Sequence, residues 1–235
     1  ACVVHLAATG DQTFGRRLRL GFPLLKDNVC SLVLESPFYG ARRPAAQRGS
    51  KLLRVSDLLT LGWATIAESI NLLHWLREEG YGALGMCGLS MGGVHASMTA
   101  GLFPGDVAVT PLLAPRSAAV AYCDGAMRAA MAWEPLLKEL RAGDRRLDRP
   151  ETVLRLKQVL ETYTDITRYP RPRRTDAAVI VAARDDAYVS CESVQQLHRY
   201  WQGSELRMVT GGHVSAFLMH QGVFREAIRE SLVRV

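Results

Sequence analysis

Cys87-Gly88-Leu89-Ser90-Met91-Gly92-Gly93 is the stretch whose reading decides the fold. It carries the pattern G-x-S-x-G. A short apolar run, Ala83 to Cys87, precedes it, and Val94 to Met98 can continue it as a helix. Strand, sharp turn, helix is the context that gives this pattern chemical meaning. The turn holds the serine in a strained backbone conformation and lifts its hydroxyl above the sheet edge. Gly88 and Gly92 leave room where a Cβ would collide with neighbouring backbone. The Met91 amide falls at a helix N-terminus, where unpaired N–H groups favour developing negative charge. Alone, the pattern equally fits a glycine-rich turn that only packs or binds a phosphate, so the rest of the chain has to arbitrate.

Upstream, Cys2 to Leu6 reads as a buried strand and runs into the small-residue loop Ala7-Ala8-Thr9-Gly10-Asp11. In a serine hydrolase this loop supplies the second amide that holds an oxyanion, here one of residues 7 to 9, with Ala8 as the candidate. Arg16, Arg17 and Arg19 follow and are expected on a solvated helix face. Val29 to Leu34 reads as a second buried strand. It ends in Glu35-Ser36-Pro37-Phe38-Tyr39-Gly40-Ala41-Arg42-Arg43-Pro44, a rigid loop. Ligands of open α/β sheets bind beyond the C-terminal ends of strands, which makes Tyr39, Arg42 and Arg43 candidate substrate contacts. A plain surface loop fits these residues as well. Ser56 to Glu79 has helical spacing, with Ser56 as a candidate N-cap and Gly80 as a stop.

Downstream, Val107 to Leu113 is a fourth strand candidate. Residues 117–176 are helical and irregular, with Tyr122, Trp133, Leu136 and Leu137 among them, and have the pattern of a cap inserted over a site. Ala177 to Ala183 is the clearest buried strand, Cys191 to Trp201 a short helix, and Leu206 to Val209 the last strand. Gly222 to Val235 is an amphipathic helix. Alternating strands and helices predict one α/β domain over residues 1–235, with a mostly parallel sheet covered on both faces.

Composition narrows the function classes. Of 235 residues 48% are hydrophobic, enough for a sizeable core. The net charge of +6 fits an Arg-rich surface or attraction to anionic lipid or an acidic substrate. No basic run is interleaved with aromatics, which argues against nucleic acid. Cys2, Cys30, Cys87, Cys123 and Cys191 are scattered without zinc-like spacing, so free thiols in a reducing compartment are expected and no metal is. No run approaches 18 apolar residues. The chain opens inside a strand-like segment without an initiator Met, the pattern of a fragment.

Every special residue follows a strand: the small loop after the first, Ser90 after the third, Asp185-Asp186 after the fifth, His213 after the sixth. Loops at the C-terminal ends of parallel strands share one rim, so these positions should converge. Ser, Asp, His is the chain order of the α/β-hydrolase triad. The chemistry needs a nucleophile, a base that takes its proton, and a carboxylate that fixes the imidazole. Two glycines before His213 suit a loop that folds back over the site. Asp186 is preferred to Asp185, because its spacing to Val189 resembles the turn common after this strand in α/β-hydrolases.

The chain resembles the α/β-hydrolase domain-containing protein 18 family. The segments that carry the likeness are His5 to Asp11, Leu34 to Gly40, Leu73 to Gly82, Gly85 to Gly93, Asp185 to Tyr188 and Gly211 to Ala216. The resemblance implies the α/β-hydrolase fold, lacking the two edge strands that usually open it. It puts Ser90, Asp186 and His213 on triad-like positions. It also points to acyl-ester or lipid substrates, membrane phospholipid among them, and is compatible with a mitochondrial location. The expected activity is hydrolysis of a carboxylic ester through an acyl-enzyme, with Met91 and Ala8 amides holding the oxyanion and no metal or organic cofactor. An acyltransferase using the same triad and a non-catalytic binding scaffold are the rival expectations, as is a peripheral contact with anionic membrane.

Overall fold

Six apolar runs of four to six residues become the strands of one sheet: β1 (Cys2–Leu6), β2 (Cys30–Val33), β3 (Leu84–Leu89), β4 (Ala108–Leu112), β5 (Val179–Ala183) and β6 (Glu205–Val209). The structure is a computed structural model and describes residues 1–130, 133–143 and 148–235. Neighbouring strands are parallel throughout, in the order β2-β1-β3-β4-β5-β6. The order reverses between β1 and β3. That is the topological switch point, where loops leave adjacent strands towards opposite faces and open a crevice.

The helices are α1 (Gly15–Gly21), α2 (Val55–Glu78), α3 (Met91–Leu102), α4 (Trp133–Gly143), α5 (Arg149–Thr164), α6 (Cys191–Tyr200), α7 (His213–Met219) and α8 (Gln221–Val233). Alternate residues of the strands serve two cores. Val4, Leu6, Met86, Val109 and Ile180 pack with Ile66 and Leu73 of α2, Val94 and Met98 of α3, and Leu197 of α6. Val3, Cys87, Leu112 and Val181 pack on the other face with Leu20 of α1 and Phe224, Ile228 and Leu232 of α8. Burial on both faces is why β1, β3, β4 and β5 are largely apolar, whereas the edge strands β2 and β6 are half-buried and keep polar positions.

Between β4 and β5 the chain leaves the sheet and builds a layer over its C-terminal edge. Two backbones meet at the base of this insertion. Ile166 N donates to Arg116 O at 2.9 Å, and the Thr164 hydroxyl lies 3.1 Å from that of Ser117. Ala119, Tyr122, Leu136, Leu156 and Leu160 form its own small core against Val55. Residues 131–132 and 144–147 of the expected cap lie outside the described residues.

Three sequence expectations change. Ser56 does not cap α2, which begins at Val55; its hydroxyl donates to Glu139 Oε1 at 2.6 Å, and Glu139 also accepts from the Val55 amide. A carboxylate from α4 thus replaces the local cap, and only the tertiary fold supplies it. β2 is half-buried rather than buried because it is an edge strand. Arg17 is not on the solvated face of α1. It is 6% exposed, with Nε 3.0 Å from the buried Asp11 carboxylate and Nη2 donating to Thr13 O at 2.9 Å. Burial raises the Asp11 carboxyl despite that guanidinium. The pair holds the loop after β1 to α1.

Candidate active site

Ser90 has φ 54° and ψ −117°, a conformation that costs on the order of 1–3 kcal/mol for a residue with a Cβ. Its surroundings enforce it. Ser90 N donates to Leu112 O of β4 at 2.8 Å, and Ser90 O accepts from Gly93 N at 2.9 Å and Val94 N at 3.1 Å. A Cβ on Gly92 would stand 2.5 Å from Leu6 O, and one on Gly88 would run into the Gly92 carbonyl. The two glycines of the pattern therefore let β3, α3 and the end of β1 touch backbone to backbone, and that crowding turns the chain sharply at Ser90.

His213 and Asp186 arrive from the other side of the rim. The Asp186 carboxylate is 2% exposed, and its Oδ1 accepts from Tyr188 N at 2.8 Å and Val189 N at 2.9 Å. Its Oδ2 lies 2.6 Å from His213 Nδ1. An ionised carboxylate accepts only, so a neutral imidazole in this contact has its proton on Nδ1 and its lone pair on Nε2. The Tyr188 ring sits edge-on to the imidazole with centroids 5.1 Å apart. Asp185, one residue earlier, is exposed, and its amide donates to Gly211 O at 3.1 Å. That bond ties the acid turn to the histidine loop, so Asp185 serves through its backbone. Gly211 takes φ +91° there. His213 is not in a free loop, since it opens the short helix α7.

Ser90, His213, Ala8 and Met91 all line one cavity of about 760 Å³. Among the described residues the Ala8 and Met91 amides have no hydrogen-bond acceptor, which leaves two N–H groups beside the serine. No hydrogen bond joins Ser90 Oγ to His213 among the described residues; such bonds commonly tighten only when substrate is present. The walls are largely apolar: Trp63 and Ile66 of α2, Val94 and Met98 of α3, Phe217 and Leu218 of α7. The insertion roofs the cavity with Tyr122, Tyr163 and Tyr169. The Tyr122 hydroxyl lies 3.2 Å from Thr9 Oγ1 and so ties the roof to the loop after β1.

The sequence pattern of the family described as alpha/beta hydrolase domain containing 18 matches residues 1–149 and 140–234. The chain belongs to that family. The fold of this alpha/beta hydrolase domain containing 18 member is also similar to solved structures at low identity. A Thermus thermophilus protein is 16% identical, with a TM-score of 0.64 over 99% of this chain and 89% of the other. An esterase from Pyrococcus furiosus is 16% identical, with a TM-score of 0.59 over 99% and 81%. An enol-lactonase from Burkholderia xenovorans is 14% identical, with a TM-score of 0.53 over 99% and 91%.

Tyr39, Arg42 and Arg43 are not brought to the cavity. Tyr39 is 2% exposed, packs with Ala7, Leu61 and Met91, and its hydroxyl accepts from Gly10 N at 3.3 Å. It braces the loop after β1 from behind. Arg42 forms a two-pronged pair with Glu68, at 2.5 and 2.7 Å, and donates to Glu35 O at 2.8 Å. Arg43 is exposed on the outside of the loop. Trp63, His95, Met98 and Arg16 line the cavity instead; of these the sequence reading places Arg16 on a solvated helix face and His95 and Met98 only in the helix after the turn. Helical spacing could have found Trp63 beside Ile66 and His95 beside Met98. What the spacing lacks is which face of α2 or α3 borders an empty space.

Proposed function

We propose that this chain is a serine hydrolase that cleaves a carboxylic ester, with a lipid-like acyl ester as its substrate. The observation that carries this reading is the meeting of a strained Ser90 and the Asp186–His213 pair on one apolar cavity of about 760 Å³. That volume lies within the range of sites that enclose most of a small-molecule ligand.

The steps follow from the proton inventory. His213 Nε2 takes the proton of Ser90 as Oγ bonds to the carbonyl carbon. The carbonyl oxygen becomes an anion held by the Met91 and Ala8 amides, each such donor lowering the barrier by about 3 kcal/mol. The imidazolium beside the Asp186 carboxylate returns the proton to the alcohol, which leaves. Water repeats the sequence and frees the acid. The glycines that shape the elbow thereby also place the Met91 amide at the start of α3, where it has no helical acceptor.

The mouth of the cavity supports a lipid surface as partner. Trp63, Val214 and Leu218 line it and are 72%, 60% and 60% exposed, and the exposed Arg16 lies among them. Apolar side chains around a basic group suit an anionic bilayer. No helix among the described residues is long and apolar enough to cross a membrane.

Labelling with a fluorophosphonate, followed by a panel of acyl esters with and without an acceptor alcohol, tests the reading. Ser90→Ala should abolish labelling and turnover. Labelling at another serine would overturn the assignment, and transfer to the acceptor in place of free acid would make the protein an acyltransferase.

A further inference from the structure

Of the six histidines, four have a polar partner: His5 Nε2 lies 3.1 Å from Ser31 Oγ, His198 Nδ1 2.9 Å from Ser204 Oγ, His220 Nε2 3.1 Å from Thr210 O, and His213 meets Asp186. His74 is exposed and packs edge-on to Phe103. His95 differs from all of these. It is 7% exposed, yet neither ring nitrogen has a hydrogen-bond partner among the described residues, and Nδ1 is wholly buried. Burial lowers its pKa to about 4, so the ring is neutral near pH 7. A neutral imidazole always presents one N–H and one lone pair. Leaving a buried one unmet costs roughly 1–3 kcal/mol, and such a group requires an explanation.

The cavity accounts for Nε2 alone, since Nδ1 is wholly buried and out of a ligand's reach. His95 lines the same cavity as Ser90 and lies five positions further along the chain, about 7.5 Å along the axis of α3. Its Nε2 edge faces Gly62 of α2, where a Cβ would stand 3.3 Å from Nε2. Gly62 also lines the cavity. The absence of a side chain at 62 keeps that edge uncovered. Trp63, Ile66, Val94 and Met98 of the two helices line the cavity with it, beside the polar Thr60 of α2 and, from other elements, Arg16 and Tyr169. A polar ring among apolar walls can read position along a chain, as a site built to hydrogen-bond one oxygen rejects analogues that lack it.

We infer that His95 is the specificity determinant for a neutral oxygen, a hydroxyl or a keto group, carried several atoms from the scissile carbonyl on the arm of the ester that lies between α2 and α3. This deepens the hydrolase reading and rests on it. A carboxylate or phosphate is a poor match, because burial holds the ring uncharged.

The test uses the Ser90→Ala chain, so that esters bind without turning over. Two series are titrated: esters of one alcohol with acids bearing a hydroxyl or keto group at successive carbons, and esters of one acid with alcohols bearing them. Unsubstituted esters of equal length are the reference, and imidazole nitrogen resonances of isotope-labelled histidine are followed. The expected result is one position in one series that binds about tenfold tighter than its reference and shifts the His95 nitrogens. His95→Phe should reduce that preference, read as the ratio of substituted to reference affinity, to near unity whatever the reference ester's own affinity becomes. Gly62→Ala, which crowds Nε2 without touching the ring, should weaken the preference in the same direction and stands in if His95→Phe does not fold. Equal affinity across both series, an unmoved His95 signal, or a preference that survives in His95→Phe and Gly62→Ala overturns the inference. Fluorophosphonate labelling of the unmodified chain is scored separately, so loss of the hydrolase reading is distinguishable from loss of this one.

Discussion

Replacing Asp186 by Asn tests the site more sharply than removing the nucleophile, because the structure dictates how the new side chain must lie. Asp186 Oδ1 accepts from the amides of Tyr188 and Val189, at 2.8 and 2.9 Å. An asparagine keeps its carbonyl oxygen on those two donors, since turning the amide over would set its NH2 against two N–H groups. The NH2 is then aimed at His213 Nδ1, where Oδ2 stood at 2.6 Å. Nδ1 must now accept, so the proton moves to Nε2, and Nε2 can no longer take the proton of Ser90. In a Ser-His-Asp protease this tautomer error lowers kcat about 10⁴-fold, or roughly 5.4 kcal/mol at 1.36 kcal/mol per decade. We expect a loss of that order in kcat for a short acyl ester, with a parallel fall in the rate of fluorophosphonate labelling and little change in Tm. Asp185→Asn, with its side chain exposed, should stay within about threefold of the unmodified chain. Retention of more than a tenth of kcat by Asp186→Asn, or greater damage from Asp185→Asn, would refute the reasoning.

Gly92→Ala places a Cβ 2.5 Å from Leu6 O and 2.9 Å from Ala7 O, so β1 or the elbow must shift; we expect a loss of about 3 kcal/mol in denaturant melts, and an unchanged midpoint would contradict the crowding. His5 and His95 both have pKa values lowered to about 4 by burial. Between about 6.5 and 4 the unfolded chain therefore binds protons that the folded chain does not. Stability is fully present above that window and is lost as pH falls through it, by about 1.4 kcal/mol per pH unit for each ring. His95→Phe should remove one ring's share of that slope in pH-dependent melts, and an unaltered slope would show that His95 is not buried neutral. Arg42→Ala with Arg43→Ala should affect kcat/KM for phospholipid and for a neutral ester equally, because Arg42 is held by Glu68; a selective loss on phospholipid would return these arginines to the substrate. Trp63→Asp should reduce flotation with vesicles rich in anionic lipid, and undiminished flotation would move the membrane contact elsewhere.

The sequence by itself determined the strand runs, the strand-turn-helix setting of Ser90 and the common rim on which Ser90, Asp186 and His213 lie. These are local properties: apolar runs, glycine spacing and the rule that parallel strands end on one side. The preference for Asp186 over Asp185 was also a local matter, of the spacing of one turn. Only the tertiary structure decided the direction in which longer side chains point. Arg17 looked like its solvated neighbours until Asp11 was folded against it, and Tyr39 looked like a substrate contact until its hydroxyl met Gly10. Ser56 lost its capping role to Glu139, a residue 83 positions away. Helical spacing puts His95 beside Met98 but does not mark it as cavity-lining, since a buried histidine and a cavity-lining one share that spacing. Whether a ring nitrogen finds a partner depends on what the opposite helix offers, and α2 sets Gly62, which has no side chain, against Nε2.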